Sequence, residues 1–123
     1  MTDRGETARR RALGDAHVNR AQVNATALDA PFQAPITDAA WGHVWARDTI
    51  SQRERSMLTI ALLAGLGNGD ELALHIRATA NTGATEADVM EALQHVAIYA
   101  GVPRANNAMR TAKETFAAME AAP

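Results

Sequence analysis

The sequence predicts an all-α fold, a single-domain bundle of six to eight helices, from three observations. No stretch alternates apolar and polar residues in the period of a half-buried strand. Helix start and stop signals recur instead, with Ser, Thr or Asp ahead of apolar-periodic runs and Gly or Pro behind them. Composition agrees: the chain is rich in alanine, 47% hydrophobic and 21% charged, with aromatic residues limited to two Trp, one Tyr and two Phe. Such usage suits helices packed closely on small side chains. A chain of 123 residues is one domain by size, 1–123, able to bury roughly two-thirds of its unfolded surface.

Taken in order, Met1 to Gly5 is expected to be a loose tail. From Glu6 to about Leu28 the pattern is helical, marked by Ala12, Leu13, Ala16 and Val23, with a break at Gly14 and a second short helix beginning at His17. Asp29 to Pro35 is expected to be a turn-rich connector, because each proline disfavours helix at the residue before it. Thr37 or Asp38 is placed to cap the next helix, which carries Trp41 and Trp45 one turn apart. Arg47 to Thr49 forms the loop that follows.

The stretch SQRERSMLTIALLAGLGNGDELALH, 51–75, is the centre of the pattern. Ser51 and Glu54 make a capping-box signal. From Met57 to Leu66 only Thr59 and Gly65 interrupt the large and small apolar residues, so this helix has no wet face and must be wrapped by others. It stops at Gly67-Asn68-Gly69. Asp70 is placed to cap a helix running to about Asn81, ended by Gly83. Thr85, followed by Glu86 and Asp88, starts another that reaches Ala100 and stops at Gly101. Pro103 suits the first turn of a last helix, 103 to about 119. Val89, Leu93, Val96 and Ala100 form one apolar face of the helix before it, with Ile98 and Tyr99 well off that face. A small domain with more apolar helix faces than one core can use tends to self-associate, so a homo-oligomer is expected.

Composition also excludes function classes. A formal charge of -2 and a pI near 6.0 give no basic footprint for nucleic acid. Arg9-Arg10-Arg11 is local, a solvated face or a ligand anchor. With no cysteine, thiol nucleophiles, Cys-ligated zinc, iron–sulfur clusters and disulfides are ruled out. The amino terminus lacks the apolar core of a secretory signal and no run is long enough to span a bilayer, so a cytoplasmic protein without membrane partners is expected. No two histidines pair at helical spacing and no HEXXH motif occurs, so no metal is expected.

Three pairs at i, i+4 are candidates for chemistry: Glu71–His75, His95–Tyr99 and Trp41–Trp45. A carboxylate beside an imidazole can orient it and raise its pKa toward proton donation near neutrality. On spacing alone the same pair can also be read as a partly exposed helix contact worth a few tenths of a kcal/mol. His95–Tyr99 is read either as a hydrogen-bonded interior or interface pair or as a site pair. The tryptophans are read as core packing or as an apolar wall for a planar ring. Arg53 and Arg55 begin the central helix, where arginines oppose the helix dipole and need a compensating carboxylate. Two positions apart, they point roughly 200° from one another.

The series RRRALGDAHV (9–18), AWGHVWARD (40–48), RERSMLTIALLAGLG (53–67), ELALHIRATANTG (71–83) and AIYAGVPRANNA (97–108) closely resembles the carboxymuconolactone decarboxylase family, over about residues 9 to 112. The wider superfamily includes alkylhydroperoxidase-D-like proteins with a CXXC motif, at whose positions this chain has Asn68 and Glu71; disulfide-based peroxide reduction is therefore impossible here. The resemblance implies an alkylhydroperoxidase-D-like helical fold assembled as a homo-oligomer, a trimer or hexamer. It implies cofactor-free decarboxylation of an anionic carboxymuconolactone to the β-ketoadipate enol-lactone in aromatic (protocatechuate) catabolism. Arg55, Glu71 and His75 match the family's site region as catalytic residues. Trp41, Trp45, Arg53, His95 and Tyr99 are the expected substrate-binding set. Glu54 matches the acidic position of the thiol-bearing relatives, its role here open. A family member acting on another small acid or lactone, or a non-catalytic helical oligomer, are the alternatives.

Overall fold

A computed structural model describes residues 3–122, and among these it contains seven α-helices, one π-helical segment and no strand. The chain forms two compact units divided between Gln52 and Arg53.

The first unit holds α1 (Asp3–Leu13), α2 (Asp15–Asn24), α3 (Ala30–Thr37) and the π-helical segment Asp38–Trp45. Helix α1 begins at Asp3 with Gly5 buried, so the part of the expected loose tail that is described is helical; Met1 and Thr2 lie outside the described residues. The break at Gly14 stands, with φ 89°, but α2 starts directly after it at Asp15 rather than His17. Arg10 holds the two helices across that break, donating to Glu6 (3.2 Å), Asp15 (3.1 Å), Asn19 (2.9 Å) and Gln22 (3.2 Å).

The expected connector at 29–35 is instead mostly helix. Pro31 occupies the first turn of α3, where no backbone donor is needed. Pro35 lies inside the helix and costs it one hydrogen bond. Neither Thr37 nor Asp38 caps a new helix, because both keep helical angles and α3 runs on into the π-helical segment. There the turn widens, and the Ala46 N–H reaches the Trp41 carbonyl five residues back at 2.9 Å. Trp41 and Trp45 are buried with Ala8 and Ala12 of α1.

The second unit comprises α4 (Gln52–Leu66) from Arg53 onward, α5 (Gly69–Thr82), α6 (Glu86–Tyr99) and α7 (Val102–Ala121). Helix α5 starts after Asn68, so Asp70 falls in its first turn and is not the cap. Gly83 ends α5 in the left-handed region at φ 87°, its N–H reaching the Thr79 carbonyl at 3.0 Å. Thr85 opens α6 with a complete capping box: Asp88 N–H donates to its hydroxyl, and Thr85 N–H donates to the Asp88 carboxylate. Ile60, Ala64, Leu72, Ile76, Val89, Leu93 and Val96 pack with Ala105, Ala108 and Ala112 of α7 as one core.

Helix α4 departs from expectation in one respect. Ser56, Ile60 and Ala64 face the core, but Leu58, Leu62 and Leu66 form a stripe that is more than half exposed. Within one chain, then, α4 is covered on one side only.

Ile76 is fully buried at the centre of this core. An Ile76→Ala variant is expected to lose about 2–5 kcal/mol of stability, read from its denaturant midpoint, because the cavity adds to the lost transfer energy.

Candidate active site

The first turn of α4 brings Arg53, Glu54 and Arg55 to the start of the second unit. Arg53 engages Asp88 of α6 with both arms of its fork: Nε to Oδ2 at 2.7 Å and Nη2 to Oδ1 at 2.6 Å. Such bidentate charge-assisted pairs are strong and geometrically specific. Oδ2 also accepts the Thr85 N–H at 2.9 Å, so the carboxylate sits in a nest of donors and is largely buried. The Arg53 guanidinium first, and the Thr85 N–H second, hold the Asp88 carboxyl well below the usual carboxylate range. Arg53, expected among the substrate-binding residues, thus has its fork committed inside the chain. One residue past Arg55, the buried Ser56 hydroxyl meets that of Thr82 at the end of α5, 2.7 Å away. Arg55 itself is half-buried.

On α5, Leu72, Ile76 and Thr79 face inward as their spacing predicts. His75 goes in with them, only 7% exposed, while Glu71 stands exposed one turn earlier. On α6, His95 and Tyr99 are both exposed, their rings near-parallel with centroids 6.3 Å apart. In the first unit Trp41 and Trp45 touch with centroids 5.1 Å apart and planes tilted by 35°. Arg11 Nη2 (3.3 Å) and Gln52 Nε2 (3.1 Å) both donate to the Trp45 carbonyl. This makes Arg11 part of the scaffold around the tryptophans.

Two of the three sequence pairs are therefore ring contacts, and Arg53 finds a partner that sequence reading missed. The signal for Asp88 was present in T-x-x-D at 85–88, but it announced only a cap. Nothing local marks an acid as the mate of an arginine 35 residues earlier.

A cleft of about 370 Å³ between α6 and α7 is lined by Val89, Met90, Leu93, Met109 and Phe116, with Glu86, Glu120 and Lys113 among its polar residues. It contains none of the expected site residues, and two carboxylates against one ammonium suit an anionic substrate poorly. Among the described residues no group of three His, Cys, Asp or Glu is placed to hold a metal ion. No described helix is long and apolar enough to cross a membrane.

An all-helical chain with an arginine-led central helix and a histidine sunk in the next matches a known class. Residues 30–114 match the carboxymuconolactone decarboxylase family, and the chain belongs to it. It is 41% identical over 119 residues to the 4-carboxymuconolactone decarboxylase of Acinetobacter baylyi, covering 97% of this chain and 89% of that protein. It is also 39% identical over 116 residues to the nitrosuccinic acid decarboxylase of Metarhizium robertsii, covering 94% of this chain and 81% of that one.

The Arg53–Asp88 pair makes a pH prediction. Asp88 has a lowered native pKa, so its contribution to stability is complete above the unfolded value near 3.8 and is lost as pH falls below it toward the lowered one. The stability difference between the native protein and Asp88→Asn, measured by denaturation from pH 7 to pH 2, is expected to be flat above about pH 5 and to shrink below about pH 4.

Proposed function

We propose that this protein is a carboxy-lyase that decarboxylates 4-carboxymuconolactone to the β-ketoadipate enol-lactone, without a cofactor, in protocatechuate catabolism. The observation that carries this reading is the 41% identity to a 4-carboxymuconolactone decarboxylase along 97% of the chain. The second relative favours a wider reading, in which members of one family remove carbon dioxide from different small acids. The two substrates share a chemical logic. Each has its own electron sink, a conjugated lactone carbonyl in one and a nitro group beside the carboxyl in the other.

In the lactone, the bond between the ring γ-carbon and its carboxylate breaks. The electron pair becomes a new ring double bond, the existing one shifts toward the carbonyl, and a dienolate oxygen takes the charge. A proton then adds to the carbon α to that carbonyl. The protein must hold a carboxylate, steady the oxyanion and deliver the proton. Arg55 is assigned the carboxylate, since its planar fork matches that group. His75 is assigned the oxyanion or proton-donor role with Glu71 as its orienting acid; its burial on α5 supports this, because a dry environment strengthens such contacts. His95 and Tyr99 are second candidates for the oxyanion contact, and Trp41 and Trp45 for an apolar wall. The enzyme is read as a single cytoplasmic domain working as a homo-oligomer, a trimer or hexamer, with no nucleic-acid or membrane partner. The exposed stripe of Leu58, Leu62 and Leu66 and the exposed Ile98 and Tyr99 support self-association.

Purified protein is expected to release carbon dioxide from 4-carboxymuconolactone faster than from nitrosuccinate at equal concentration; the reverse order would transfer the assignment to the second substrate. His75→Ala is expected to lower kcat at least about a hundredfold with fold and assembly kept, and full activity in that variant removes His75 from the mechanism. Arg55→Ala is expected to raise KM about tenfold or more; a loss confined to kcat refutes its role in capture.

A further inference from the structure

We infer that Asp88, acting through Arg53, is a positioning residue for substrate capture: it fixes the first turn of α4 and with it the guanidinium of Arg55. The inference rests on the reading that Arg55 holds a substrate carboxylate.

The need for such a device follows from where Arg55 lies. Helix α4 begins at Gln52, so Arg53, Glu54 and Arg55 all fall in its first turn. That turn has backbone N–H groups without intrahelical acceptors, and it is where helices fray. Two arginines there face the positive end of the helix dipole, which favours opening further. A bidentate clamp on a carboxylate tolerates little misplacement.

Two tethers oppose fraying, one on each side of Arg55 in sequence. Arg53 is gripped by both oxygens of Asp88, at 2.7 and 2.6 Å. Ser56 is bonded to Thr82 at 2.7 Å with both residues buried. Arg53 and Ser56 are three positions apart and share a side of α4, whereas Arg55 points roughly 200° from Arg53. Asp88 therefore acts through the backbone of the turn and need not touch the substrate. It is also a firm anchor. The capping box ties it to Thr85 in both directions, at 2.9 and 3.0 Å, so it cannot follow Arg53 outward without breaking the start of α6.

If only the closed turn presents Arg55 correctly, the apparent affinity falls in proportion to the fraction closed, while bound substrate reacts as before. Asp88→Asn isolates this term, because an amide oxygen still accepts the Thr85 N–H but lacks the charge and second acceptor for the fork. KM is expected to rise about tenfold with kcat within about twofold. In an Arg55→Ala background the same change is expected to shift KM by less than about twofold, since the group being positioned is gone. A merely structural loss would lower kcat through fewer folded molecules and leave KM alone. Unchanged KM, or the same KM shift in both backgrounds, overturns the inference.

A second readout needs no substrate. Amide exchange at Ser56 and Met57, whose N–H groups face the carbonyls of Gln52 and Arg53 in the first turn, is expected to quicken at least about tenfold in Asp88→Asn, with mid-α7 amides unchanged. Unaltered exchange there overturns the inference as well. A native protein inert toward the lactone would refute the proposed function instead, and the exchange rates would still decide whether Asp88 holds the turn.

Discussion

The second unit depends on a narrow constraint, the close approach of α7 to its neighbours. Ala105, Ala108 and Ala112 line its inner edge, at spacings that place them on one face, against Ile60, Leu72, Ile76 and Leu93. Methyl groups on one side and branched aliphatic chains on the other fill the space without an aromatic at the centre. A larger residue on that edge would push α7 outward, and packed interiors yield poorly to such changes. The histidine of α5 inherits this order. His75 adjoins Ile76 in the chain, so the packing that fixes Ile76 also limits where the imidazole can go.

Much of this was legible in the sequence because it was local. Gly14, Gly83 and Gly101 mark helix breaks where expected, each with a positive φ that other residues resist. Thr85 opens its helix as its start signal predicts, and the structure adds a capping box closed by Asp88. The misreadings came from rules that hold on average and yield to position. Pro31 reads as a breaker, yet in a first turn proline removes nothing that the helix uses. Asp70 has the better capping side chain, yet the backbone of Asn68 leaves the helical region first. Thr37 and Asp38 carry start signals that go unused, because the preceding helix has not stopped.

The candidate site was legible as residue types and not as relations. The resemblance sets Arg55 in the catalytic set and Arg53 in the substrate-binding set, but nothing local in the sequence says that Arg53 would be engaged by an acid of another helix. Asp88 is that acid. By engaging Arg53 from a helix 35 residues away, it gives that side chain a structural task inside the fold. Contacts of that range leave no periodic trace, which is why spacing arguments could not reach them. The exposed leucines of α4 belong to the same category: periodicity showed that the helix was apolar all round but not what covers it.

The π-helical segment carries a consequence of another kind. With hydrogen bonds reaching five residues back, Asp38–Trp45 contains more residues per turn than an α-helix does. Removing one of the three residues between Trp41 and Trp45 would turn Trp45 about the helix axis away from Trp41, whichever of the three was taken out. Length, more than identity, is the sensitive coordinate of this stretch, and it should tolerate exchanges of side chain far better than a change in count.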